Sequence, residues 1–224
     1  MSGSDPGPQR TVRRALLTCG IVAAVCYVAT DIGGAVLYPG YRFTDQAVSE
    51  LFAIGAPTSR IVVPLFTLSS LLLSAFALGV WLSSGHSRLV RLMAAMFAGS
   101  ALVGTVLWNF FPMHMRGAQP TFTDTMHLIL ATNPFVLLSI AFAVAAFRGW
   151  FRIYTVATIV MLLLPAVFAF HYAPEVQANQ PTPGLGLSER VGQYVYALWQ
   201  SVLAIVLLRE RSGERWIAPD LERL

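Results

Sequence analysis

Six stretches of apolar residues separated by polar breaks run through the chain, near Ala15–Tyr38, Ile61–Ser83, Leu89–Phe111, Met126–Phe147, Phe151–His171 and Val191–Leu208. Each has about the 20 residues a helix needs to cross a hydrocarbon core of roughly 30 Å. The pattern predicts an all-α, six-helix transmembrane bundle over residues 15–208, with no fixed-period repeat. An even number of crossings puts both termini on one side. Residues 1–14, opening with Ser, Gly and Pro, are expected to form a disordered cytoplasmic tail. Residues 209–224, with Trp216, Ile217 and Leu221 among charges, are expected to lie in the cytoplasm or along the interface.

Composition supports a lipid setting. The 224 residues are 56% hydrophobic and 12% charged, with a mean hydropathy of +0.64, against roughly a quarter charged in soluble chains. The net charge of +4 comes from 15 arginines and no lysine. They lie between the apolar runs, not in one patch, so they argue against nucleic acid and act as topology signals. Eleven fall on the side of the termini and four (Arg42, Arg60, Arg116, Arg190) on the other. The positive-inside rule then places both termini in the cytoplasm of a cell-membrane protein. Arg13 and Arg14 precede an apolar run as in an export signal, but that run continues to Tyr38, longer than a 7–15-residue signal core, and is read as a retained first helix. Cys19 and Cys26 are about 10.5 Å apart on one helix, too far for a disulfide.

The three connections expected outside, Pro39–Arg60, Pro112–Thr125 and Tyr172–Arg190, are long and rich in Pro, Gly and aromatics, the kind of loop that carries function. Three of the four histidines and six acids share that side. Asp31 sits about 25 Å along its helix from Arg14, inside the span, where an acid needs the bundle interior and a partner. Arg190 opposes the positive end of the sixth helix and calls for a carboxylate, with Asp31, Asp124 and Glu50 as options; a lipid headgroup is the other. In TDQAVSEL, Thr44 is expected to cap a short amphipathic helix that places Asp45 beside Ser49 and offers Glu50 to a site. Read more simply, that helix is a lid. Asp124 and His127, three apart, share a helix face: the carboxylate can orient the imidazole as a general base, or the pair can hold zinc with His114 or His171 as a third ligand. The simpler reading is helix capping with one hydrogen bond to His127. Haem is disfavoured, because the histidines gather near one face. Pro134 and Pro165 within spans open kinks on the same side, and Asn133 and Gln200 add polar groups there.

Three motif sets carry a family likeness: GIVAAVCYVATDIGGAVLYPGY leading to DQAVSEL, FFPMHMRG followed by DTMH, and GLSERVGQYVYALWQ. The chain resembles the prokaryotic membrane family catalogued as domain of unknown function 998 over most of residues 16–208. The resemblance implies six membrane helices and no established reaction. Its matching positions here are Pro39, Gly40, Tyr41, Ser49, Glu50, Pro112, His127, Glu189 and Arg190; His114 and His171 fall outside them.

Three readings follow. One is a metal-assisted hydrolase or transferase acting on an outer-leaflet lipid, with His127, Asp124 and Glu50 catalytic and His114, His127 and His171 on zinc. The second is a protein that binds or transports a small solute or lipid headgroup through Asp31, Arg190, Glu189, Ser49 and Tyr41, although no inverted repeat supports transport. The third is a structural partner of another membrane protein.

Overall fold

A computed structural model describes residues 7–209. Among these, seven helices form: α1 (Pro8–Leu37), α2 (Ser59–Ser83), α3 (Arg88–Phe110), α4 (Phe122–Ala146), α5 (Trp150–His171), the short α6 (Ala173–Gln177) and α7 (Leu185–Arg209). All but α6 are long and apolar enough to cross a membrane. The chain is all-α with six candidate spans, as the hydrophobic pattern predicts.

The spans differ from expectation at their ends. Helix α1 begins at Pro8, seven residues before the expected Ala15, with proline in the first turn where its missing N–H costs nothing. Helix α7 begins at Leu185, not Val191, because Glu189 and Arg190, which look like a polar boundary, turn inward. Of the expected disordered tail 1–14, Pro8–Arg14 is helical and residues 1–6 lie outside the described residues, as do residues 210–224 of the expected cytoplasmic or interfacial tail 209–224.

Helix contacts run α1–α2–α3–α4–α5–α7 and back to α1, so the six spans close a ring. Arg13 Nη1 donates to Ser83 Oγ (3.2 Å) and to the Leu207 carbonyl (3.5 Å), gathering the start of α1 and the ends of α2 and α7 at the short-connection end. That half is solid. Phe76, Met93, Phe97, Ile140, Phe147, Phe151, Trp199 and Leu203 fill it, and Trp199 stacks between Phe97 and Phe151. Gly79 has no room for a Cβ against the Leu16–Leu17 backbone, which lets α1 and α2 close up. Outward-facing Val25, Leu71, Leu78, Ile153, Leu164 and Val167 are exposed, which suits lipid.

The loop end is built differently. Helix α3 widens through a π-turn at Val103–Leu107, a feature frequent at functional sites. Helix α4 breaks at Asn133, whose φ is +27° and ψ 72°, and restarts at Pro134. Pro134 cannot donate a helical N–H, so the break falls where the sequence calls for a kink. The second half of α4, Pro134–Ala146, packs on α3 and α5; the first half, Phe122–Ala131, makes its principal contacts with the end of α3. Helices α4 and α5 therefore touch near the solid half and part toward the loops.

Candidate functional site

Where α7 starts, Gly186 lets backbone approach: a Cβ there would collide with the carbonyl oxygens of Phe43 and Gln46 and with Arg190 Nη1. One turn on, Arg190 turns inward and grips Asp31 of α1, Nε to Oδ2 and Nη2 to Oδ1, both 2.9 Å. Nη2 also donates to Tyr41 Oη (2.7 Å), and Nη1 to the carbonyls of Phe43 (2.6 Å), Gln46 (3.2 Å) and Gly186 (3.1 Å). The Phe43 ring lies 3.8 Å from the guanidinium carbon. Tyr194 Oη donates to Asp31 Oδ2 at 2.5 Å. The side chains are 1% and 0% exposed, and both nitrogens that carry paired N–H groups are engaged within the protein. Of the three acids open to Arg190, Asp31 is its partner.

A second clasp lies above it. Arg116 donates through Nε and Nη2 to Glu50 Oε2 and Oε1 (3.1 and 2.8 Å), through Nη2 to Thr182 Oγ1 (3.0 Å), and through Nη1 to the Gln180 carbonyl (2.8 Å). Glu50 also accepts the Ala47 amide (2.9 Å) and Gln46 Nε2 (3.0 Å). The helix expected from Thr44 is instead one 3₁₀ turn, Val48–Leu51; Thr44 bonds to Asp45, and Asp45 bonds onward to the third loop, not to Ser49. Asp45 Oδ1 accepts Gly184 N–H (3.2 Å), and its carbonyl accepts Thr182 Oγ1 (2.6 Å). The Gly184 N–H and then the Thr44 hydroxyl hold the Asp45 carboxyl below its ordinary range. Burial pushes the Tyr41 phenol well up, against the pull of Arg190. Burial and then Glu50 push Tyr38 up as well.

The histidines divide differently from expectation. Asp124 takes His114, not His127: Oδ1 accepts the His114 amide (2.7 Å) and Oδ2 lies 3.0 Å from its Nδ1. Asp124 Oδ2 also accepts Thr121 N–H (2.9 Å) and Oγ1 (2.7 Å), so Thr121 is the helix N-cap. His127 is buried, and its Nδ1 donates to the Phe111 carbonyl (3.0 Å), leaving Nε2 as the lone-pair nitrogen. His171 is exposed at the end of α5. Among the described residues no three His, Cys, Asp or Glu side chains gather for a metal. His114, His127 and His171 thus do not form the expected zinc set.

Beneath the loops, and above the aromatic half, the ring encloses a cavity of about 450 Å³, within the ~300–1,000 Å³ range of ligand pockets. Its wall is mainly apolar, with Ala24, Phe66, Leu73, Val103, Val136 and Leu162. His114, Arg116 and Asp124 stand at its loop side; Ser49, His127, Glu189 and Gln193 also line it. Trp108 and Asn133, both lining, each leave a buried polar atom unpaired (Nε1 and Oδ1), while Asn133 Nδ2 bonds to Ser100 Oγ (3.0 Å). Glu189 Oε2 accepts the Val48 amide (2.8 Å), and Tyr27 Oη donates to Gln193 Oε1. Leu128, Leu163 and Phe170 line the cavity and are also exposed, on either side of the gap between α4 and α5.

A model of the DUF998 family, described as a protein of unknown function, matches residues 21–206. The chain belongs to that family. The DUF998 match spans both clasps and the whole cavity wall, so this chain is a helical multi-pass membrane protein of that uncharacterised family. No curated protein and no solved structure matches it. Tyr27, Gln193 and Tyr194 escaped the sequence reading. Their signal was Gln193 one turn from Glu189, a polar spacing inside an apolar run.

Proposed function

We propose that this DUF998 protein binds an amphiphile of the bilayer, with the hydrocarbon chain in the cavity and the polar end beneath the loops. The carrying observation is the 450 Å³ apolar-walled hollow at the loop end, with the diverging α4 and α5 offering a path from lipid. The clasps support this as scaffold: Arg190 and Asp31 are saturated by one another and by neighbouring groups, so they hold the roof in place and leave recognition to the cavity wall. The arginine asymmetry supports an orientation with this end outside the cell and both termini in the cytoplasm.

The test is native mass spectrometry of protein taken from its own membrane. A retained amphiphile is expected, and its loss in Ala166→Trp, which fills the cavity from α5, supports the site. Equal retention by Ala166→Trp, or no adduct in either, would overturn the reading. Membrane-impermeant thiol labelling of Gln119→Cys in whole cells checks the orientation; labelling only after lysis reverses it.

A second reading rests on His114 and Asp124. An imidazole held by a carboxylate at the cavity rim is the arrangement of a general base, which favours a hydrolase or transferase acting on the bound lipid. Release of a headgroup or acyl product by wild type and not by His114→Ala supports it; no turnover of any membrane lipid removes it.

A further inference from the structure

The acidic and basic side chains on the cavity wall are His114, Arg116, Asp124, His127 and Glu189, and His127 is tied through Nδ1 to the Phe111 carbonyl. The Arg116 charge is met by Glu50, and the Asp124 carboxylate accepts the His114 and Thr121 amides and the Thr121 hydroxyl. Glu189 is different. Among the described residues the only hydrogen bond to its carboxylate is from a backbone amide, that of Val48. The neighbouring cation, Arg190, is committed to Asp31. An ionised carboxylate on an apolar wall without a cation is costly, and a ligand that brings the cation removes the cost.

We propose that Glu189 is the anchor of this cavity and that its ligand is a protonated amine carried on a hydrocarbon chain. This deepens the amphiphile reading and rests on it. A bare metal ion fits poorly, since it needs several oxygen ligands and among the described residues no three His, Cys, Asp or Glu side chains gather to supply them. An ammonium needs one carboxylate and a few neutral acceptors, and is further favoured by aromatic faces. Tyr27, Phe66 and Tyr196 line the same wall, with Tyr27 and Phe66 ring centroids 4.9 Å apart. The hydrocarbon then follows the wall past Leu162 toward the gap between α4 and α5.

The experiment titrates solubilised protein with dodecylammonium, dodecanol and dodecanoate, equal in chain and different in charge, reading occupancy by native mass spectrometry. Wild type should bind dodecylammonium at least about tenfold tighter than dodecanol, and dodecanoate weakest. Glu189→Gln keeps an oxygen for the Val48 amide; it should bring dodecylammonium to within about twofold of dodecanol and leave dodecanol unchanged. Equal binding of the three chains by wild type overturns the proposal whatever the variant does, as does a preference that survives Glu189→Gln. Dodecanol bound no better by wild type than by Ala166→Trp sinks the amphiphile reading, and the anchor with it. Dodecanol bound without charge preference sinks the anchor alone.

Discussion

Arg190 and Asp31 lie 159 positions apart and meet through two parallel hydrogen bonds of 2.9 Å, out of contact with solvent. A planar fork on a carboxylate is a geometry lysine cannot reproduce. Removing one member of a buried pair leaves the other uncompensated, at about 3–5 kcal/mol. Arg190→Ala and Asp31→Ala should each lower the yield of monodisperse protein and its unfolding midpoint in detergent, and Arg190→Lys should fall between. Wild-type midpoints in both alanine variants would remove the clasp from the stability of the fold.

Gly186 offers a smaller change with a comparable target. A methyl group there would meet the carbonyls of Phe43 and Gln46 that receive Arg190 Nη1. Gly186→Ala should destabilise by about 1–3 kcal/mol through overpacking, although alanine is the better helix former. A rise in the unfolding midpoint would show that the first loop gives way freely.

Tyr41 Oη accepts from Arg190 and lies within hydrogen-bond range of the Gln46 and Ala47 carbonyls (3.0 and 2.8 Å). Tyr41→Phe keeps the ring and leaves these groups short of a partner, at about 1–3 kcal/mol. Because the folded phenol titrates above its unfolded value, its contribution is whole below about pH 10 and is lost as pH rises further. Tyr41→Phe should therefore show a shallower alkaline fall in thermal midpoint than wild type; parallel curves would argue against it.

Asp45 shows the opposite sign. Its folded carboxyl titrates below the unfolded value of about 3.9, so its tie to Gly184 is complete above that pH and is lost as pH falls through the folded value. Protection of the Gly184 amide from hydrogen exchange, taken relative to the intrinsic rate at each pH, should be high at neutral pH and fall on acidification, and Asp45→Asn should flatten that change. Identical profiles in both proteins would assign the protection to the backbone alone.

The spans were legible because a membrane helix must be apolar over some twenty residues, and a proline in mid-span signals a break, as Pro134 does. The ends were less so. Glu189 and Arg190 resemble an interface in sequence, and only the carboxylate contributed by α1 makes an inward arginine tolerable. Helical spacing suggested Asp124 with His127, but the loop folds back and brings His114 to the carboxylate first. The Arg116–Glu50 pair joins two loops whose return paths no periodicity describes. The cavity is a property of the whole ring: each apolar wall residue of a span, taken alone, reads as ordinary lipid-soluble helix.

Because the last span carries the cation that the first span's acid requires, the order of synthesis matters. From the insertion of α1 until α7 emerges, Asp31 stands in the bilayer without its counter-charge, an expense of up to about 2.5–3.5 kcal/mol on insertion scales. A chain cut short before Arg190 therefore carries Asp31 without the partner it has in the finished molecule.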